Sequence, residues 1–155
     1  MVDKITIVQE QDRDADFDRT IKKELGFDAD QLNFGTLVAN ATDDTLTSTT
    51  DSAYVEKLST TTPTLYIGDK YVVFWYMEVR SNLQNKISEI RVQVDDTEDL
   101  VEVQHEGNEF LPITGFGVYT VTIEDTYQID IDHRAVSGTA YIRRARILSF
   151  IVEKA

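Results

Sequence analysis

Cysteine is absent from this chain of 155 residues, and proline occurs only twice. Without thiols there are no disulfide staples, no thiolate nucleophile and no cysteine-ligated metal. Two prolines and seven glycines are too few for a linker-rich or disordered protein, and 41% apolar residues suit a folded one. No apolar run approaches the roughly 18 residues that a membrane-spanning helix requires. The opening stretch Met1-Val-Asp-Lys-Ile-Thr-Ile-Val-Gln-Glu10 has neither the basic start nor the long apolar core of a signal peptide. Positive charge is scarce as well, since 15 Lys and Arg against 28 Asp and Glu leave a net −13. Such a surface disfavours nucleic acid and anionic membranes as partners, because phosphate binding needs cations. Its plainest consequence is solubility.

The charge is unevenly spread. Residues 1–36 hold nine acids and five bases, residues 37–133 eighteen and five, and residues 134–155 one and five. The first 36 residues also read differently in pattern. Asp16 to Leu25 is helical in spacing: Asp16 or Asp18 can cap it, Phe17, Ile21 and Leu25 fall at i, i+4 and i+8, and Gly26 can end it. A helix this short is not stable alone, so it must dock on the domain or on a neighbouring subunit. This predicts a short helical or extended arm over residues 1–33 and a single folded domain over 34–155.

From Phe34 onward the period is two. Thr36-Leu-Val-Ala-Asn40 and Thr45-Leu-Thr-Ser-Thr49 flank a polar turn at Thr42 to Asp44 and read as a hairpin. Ten of the 29 residues from Thr36 to Thr64 are threonine, which favours strands over helix. After the Gly68-Asp69 turn, Tyr71, Val73, Trp75, Met77 and Val79 share one face and Val72, Phe74 and Tyr76 the other, predicting a central strand. Ile90, Val92 and Val94 point in against Glu89, Arg91 and Gln93. An acidic hairpin tip, Asp95-Asp-Thr-Glu-Asp99, separates them from Val101, Val103 and His105. Gly107-Asn108 and Pro112 bound a loop; Gly115 and Gly117 mark a bulge or a close backbone contact in the next strand. Tyr127, Ile129, Ile131 and His133 alternate with Gln128, Asp130, Asp132 and Arg134.

The last segment, Gly138 to Val152, is the most strand-like and carries three arginines. Ile147 onward is apolar on both faces, which suggests a strand in the middle of the structure. Ala140 and Ile142 fall on the opposite parity from Ala145 and Ile147. One extra residue near Arg143-Arg144, a β-bulge, would bring all four to one face. Eight to ten strands with no helical pattern between them predict an all-β fold, an antiparallel β-sandwich of jelly-roll type or an open barrel.

No reaction centre emerges. His105 and His133 sit at inward or strand-end phases and could approach each other across sheets, yet no serine elbow accompanies either. Asp12-Arg-Asp14-Ala-Asp16-Phe-Asp18 begins like a calcium loop but has Phe17 and Lys23 where glycine and glutamate belong. The tip from Asp95 to Asp99 reads as a solvated turn with a secondary capacity for calcium. Trp75 reads as core; Tyr54, Tyr66 and Tyr141 are the better candidates for surface contacts. No catalytic, cofactor-binding or metal residue is assigned.

Three segments, Gly68-Asp-Lys-Tyr-Val-Val-Phe-Trp-Tyr-Met-Glu78, Phe110-Leu-Pro-Ile-Thr-Gly-Phe-Gly117 and Gly138-Thr-Ala-Tyr-Ile-Arg-Arg-Ala-Arg-Ile-Leu148, together resemble a pattern in virion structural proteins of tailed bacteriophages. The resemblance spans residues 34–152. It implies a small non-enzymatic β-sandwich of the decoration or cement type, sitting on a capsid surface, commonly as a homotrimer. The implied partners are further copies of itself and the major capsid protein or another virion protein, with no cofactor, nucleic acid or membrane. Arg143, Arg144 and Arg146 could meet carboxylates of a neighbour, or equally pair within the sheet or face water. With Phe17, Ile21 and Leu25 they are the candidate interface residues. The alternative class is a carbohydrate- or receptor-binding module of a phage head or tail fibre.

Overall fold

The structure, a computed structural model, describes residues 35–155. The expected arm, with Phe17, Ile21 and Leu25, and the Asp12 to Asp18 stretch lie outside the described residues. The strands are β1 (Leu37–Asp43), β2 (Thr47–Thr49), β3 (Val55–Thr61), β4 (Lys70–Ser81) and β5 (Ile87–Val94). They continue with β6 (Glu98–Glu106), β7 (Leu111–Thr120), β8 (Gln128–Ala135) and β9 (Ala140–Glu153). Among the described residues there is no helix.

Alternation decides which side chains meet. Tyr71, Val73, Trp75, Met77 and Val79 of β4 are all buried, and so are Ile90, Val92 and Val94 of β5 and Ile129 and Ile131 of β8. Each such side chain gains about 1.5–3 kcal/mol on burial. Two inner faces of this kind can be dried only against each other. The first sheet runs β1-β9-β4-β7, with β2 also on β9, and the second β3-β8-β5-β6. Every pairing is antiparallel.

With β1 and β2 taken as one interrupted strand, the first strand pairs with the last, β3 with β8, β4 with β7 and β5 with β6. A long hairpin rolled onto itself gives this order, further joined by the β4–β9 and β5–β8 ladders. That is the jelly roll.

The predicted bulge is present. Tyr76 faces Arg146 but Glu78 faces Arg143, so β9 carries one extra residue, and Arg144 takes a left-handed φ of 52°. In consequence Ala140, Ile142, Ala145 and Ile147 are all at most 1% exposed. Left-handed backbone costs roughly 1–2 kcal/mol at a non-glycine residue. Burial of four core side chains in phase outweighs it.

Two local expectations change, and a third is decided between its alternatives. β1 and β2 do not form a hairpin; they run in line along β9. Asp43 accepts hydrogen bonds from the N–H and hydroxyl of Thr45. The buried ammonium of Lys57 then donates to Asp43, to the Thr45 carbonyl and to the hydroxyls of Thr45 and Thr47. A kink held by a lysine therefore replaces the turn. Pro112 belongs to β7 rather than a loop, which is tolerable because β7 is a sheet edge. Gly115 reflects close contact, not a bulge: the β4–β7 register is unbroken, and a Cβ there would lie 2.8 Å from Cζ2 of Trp75.

Candidate functional site

Because β4 and β9 are apolar on both faces, the face turned away from the core has to lie on the outside of a two-sheet sandwich. Val72 pairs with Val118 and Phe150, and Phe74 with Phe116 and Leu148. Leu37 on β1 stands opposite Phe150, and Val152 extends the row. Of these, Phe116 is 66% exposed, Val118 54% and Phe74 43%. The Phe74 ring lies 5.9 Å from Phe116 and 6.3 Å from Phe150, centroid to centroid. Scattered exposed apolar residues are ordinary, but six exposed ones across four strands (Leu37, Phe74, Phe116, Val118, Leu148 and Val152), joined by the half-buried Phe150 and the buried Val72, form the kind of patch that marks an interaction site.

The rim of this face is polar and its charges are paired. Lys70 and Glu153 meet at 2.7 Å at one end, and Arg146 meets Asp44 at the other. Glu78, beside the bulge, collects Arg143, Arg144 and the Tyr76 hydroxyl. The Arg143 hydrogen bond, with those of Tyr76 and Arg144, overcomes burial and holds the Glu78 carboxyl down at about 2. Each of the three arginines singled out in the sequence thus has a carboxylate partner within the chain. Arg144 is the most open of them, its side chain 56% exposed.

The second sheet turns a different outer face to solvent. Glu89, with no exposed surface, accepts hydrogen bonds from the Tyr54 hydroxyl, the Gln104 amide and Arg134. Burial pushes its pKa up, but those donors prevail and leave it below the usual value. Arg91 and Arg134 stack on the Tyr54 ring at 4.0 and 4.5 Å, and Arg91 also holds Asp132 at 2.9 Å. Tyr54 is therefore occupied within the chain, as is Tyr141, which lies under Arg80 at 4.5 Å. Tyr66 stays 60% exposed, and Trp75 is in the core at 5%.

The histidines do not meet across the sheets. His133 pairs with Ile90 and His105 with Ser88, so β5 separates them within one sheet. Burial pushes the His133 pKa down to about 4, and Nδ1 lies 3.1 Å from the Val55 carbonyl oxygen. His105 lines an open polar groove with Gln84, Glu106, Asn108 and Glu109. Among the described residues, no group of three or more His, Asp and Glu is placed to hold a metal.

Sequence reasoning noticed the side chains of the apolar face but placed them inside. The signal that would have located them was available. In a sandwich of only two sheets, a strand apolar on both sides has one side in solvent.

No protein-family model matches the chain, and no curated protein does either. Among solved structures, it is similar to the C-terminal domain of EclA, a sugar-binding protein, at 13% identity and a TM-score of 0.44, covering 67% of this chain and 77% of that one. It is also similar to the CBM36-1 domain of a multidomain xylanase from the hindgut metagenome of Trinervitermes trinervoides, at 13% identity and a TM-score of 0.42, covering 70% and 95%. The VP2 subviral particle of infectious bursal disease virus is similar at 9% identity and a TM-score of 0.36, covering 77% of this chain and 34% of that one.

Proposed function

We propose that this chain is a non-enzymatic virion structural protein, a capsid decoration or cement protein that coats a phage head through protein–protein contacts. The observation that carries this reading is the apolar outer face of the first sheet. At a net charge of −13, copies of the chain repel one another. Among the described residues, the face built around Phe74 and Phe116 carries the pairs Lys70–Glu153 and Arg146–Asp44 at its rim, so contact there costs little repulsion while removing apolar surface from water. Its occupants in this reading are further copies, as a homo-oligomer and, as the resemblance implies, a trimer, and the major capsid protein or another virion protein. The resemblance over residues 34–152 supports the same reading.

Light scattering across a concentration series is expected to find an oligomer that Phe116→Glu shifts toward monomer. The expected weakening is at least about 30-fold, the effect of removing one interface hot spot. Because Phe116 is 66% exposed, the variant is expected to stay folded. A strict monomer that never co-sediments with capsids overturns the proposal.

The second reading, a carbohydrate- or receptor-binding module of a fibre, draws on the same exposed rings. Of the aromatics weighed for it, Tyr66 stays 60% exposed, while Trp75 is buried and Tyr54 and Tyr141 lie under arginines. Glycan-array binding that Phe116→Glu abolishes would favour it.

A further inference from the structure

A chain of hydrogen bonds at the tip of the second sheet is complete except at one link. The β5–β6 turn, Asp95 to Thr97, holds Asp95 and Asp96 at φ 51° and 55°, both left-handed. Asp95 donates its N–H to the Gln128 carbonyl at 2.9 Å, and its Oδ1 accepts the Gln128 N–H at 2.7 Å. The Gln128 side-chain amide donates to Oδ1 of Asp130 at 2.9 Å. On β5, the Gln93 amide donates to Oδ1 of Asp96 at 2.8 Å, back in the turn. Gln93 and Asp130 stand directly opposite each other in the β5–β8 ladder. Both are at most 2% exposed, and each has one oxygen without a partner: Oε1 of Gln93 and Oδ2 of Asp130.

Two unpartnered acceptors buried on facing residues are costly, since neither recovers the water it lost. Exchanging the Gln93 oxygen and nitrogen does not help, because it would set an oxygen against the Asp96 carboxylate. We propose that Asp130 carries a proton on Oδ2 and donates it to Oε1 of Gln93, closing the ring Asp95–Gln128–Asp130–Gln93–Asp96 into a proton-operated latch on the hairpin tip.

The surroundings favour the proton. Burial, together with the carboxylates of Asp132, Glu56 and Asp96, pushes the Asp130 pKa up to about 6 even against the Gln128 hydrogen bond. On β3, Ser59 lies opposite Asp130 and brings no charge. The neighbouring cation on β5, Arg91, is engaged by Asp132, and on β8 Arg134 is engaged by Glu89. Above pH about 6 the carboxyl ionises, the link opens, and the acidic tip is held to β8 by the Asp95–Gln128 bonds alone. The latch is independent of the apolar face on the other sheet.

Asp130→Asn tests this, because an asparagine amide can donate to Gln93 and accept from Gln128 at every pH. The wild-type chain is expected to lose melting temperature as pH rises through about 6, and Asp130→Asn to lose that slope. Carbon-13 NMR of the wild-type carboxyls is expected to show Asp130 titrating near 6, absent from the variant. Titration of Asp130 with the ordinary carboxylates, or the same pH slope in both proteins, overturns the latch. A calcium-dependent gain in melting temperature that Asp130→Asn abolishes overturns it too, by placing a hard cation in the gap.

Discussion

The two outer faces of this sandwich meet the same solvent with opposite chemistry. The first sheet presents phenylalanine, leucine and valine and confines its charges to paired positions on the rim. The second presents carboxylates, arginines and amides, yet Glu89, Gln93, Asp130 and Asp132 on it are at most 5% exposed. A polar face whose charged groups are mostly buried and bonded to one another has little left to offer a partner. An apolar face has no internal way to satisfy itself, since only another surface can remove it from water. The face that looks more chemical is thus the structural one, and the plain apolar one is the candidate for contact.

The comparison is broken most severely at Glu89. Glu89→Leu removes the carboxylate that Arg134 contacts and the buried acceptor shared by the Tyr54 hydroxyl and the Gln104 amide. Removing one partner of a buried charged network costs about 3–5 kcal/mol, so urea unfolding should show a loss of that order. Phe116→Glu makes the opposite exchange of polarity on the opposite face and is expected to cost stability little while it disrupts association. Equal losses of stability from the two substitutions would erase the distinction drawn between the faces.

The faces also titrate in opposite directions. Glu78, held at about 2, and Asp43, held at about 2 chiefly by the Lys57 hydrogen bond, favour the folded state when ionised. Their contribution is complete above the ordinary carboxylate range and is lost as pH falls through 2. Asp130, pushed up to about 6, contributes when protonated and loses that contribution as pH rises through 6. Glu78→Gln is therefore expected to flatten the acid side of the stability profile by on the order of 1 kcal/mol, after allowing for solvent screening. It should leave the slope near pH 6 unchanged. Melting curves from acid to neutral pH check both limbs.

The smallest effect is expected at the bulge. Arg144→Gly loses one of the two arginines on Glu78 but relieves a left-handed backbone. An exposed ion pair is worth little and the relieved backbone offsets its loss, so urea unfolding is expected to show a midpoint close to that of the wild type. A loss of several kcal/mol would mean that the arginine, rather than the extra residue, holds the bulge.

Much of the fold was legible in the chain itself. Period-two alternation marked Tyr71 to Val79, Ile90 to Val94 and Tyr127 to His133, and the parity slip between Ile142 and Ala145 located the bulge to within a residue. Strand signals failed where the decisive contact was distant. The hairpin expected at Thr42 to Asp44 is overridden by Lys57, ten to fourteen residues further on. The buried state of Glu89 and Gln93 could not be read from an alternation that marks them only as facing away from the core. The candidate face was half-legible: its residues stood out as apolar, but their side of the sandwich did not.

What the sequence determined by itself was local: which residues extend, which turn, and which side chains share a face, because backbone geometry fixes the period regardless of surroundings. The tertiary structure decided which of two apolar faces on β4 and β9 would be inside. Only one can be dried by the opposing sheet, and rolling β5–β6 to the far end while pairing β1 with β9 settled that choice. It likewise set the three arginines of the terminal strand beside Glu78 and Asp44, since cross-strand register brings them within a few ångströms.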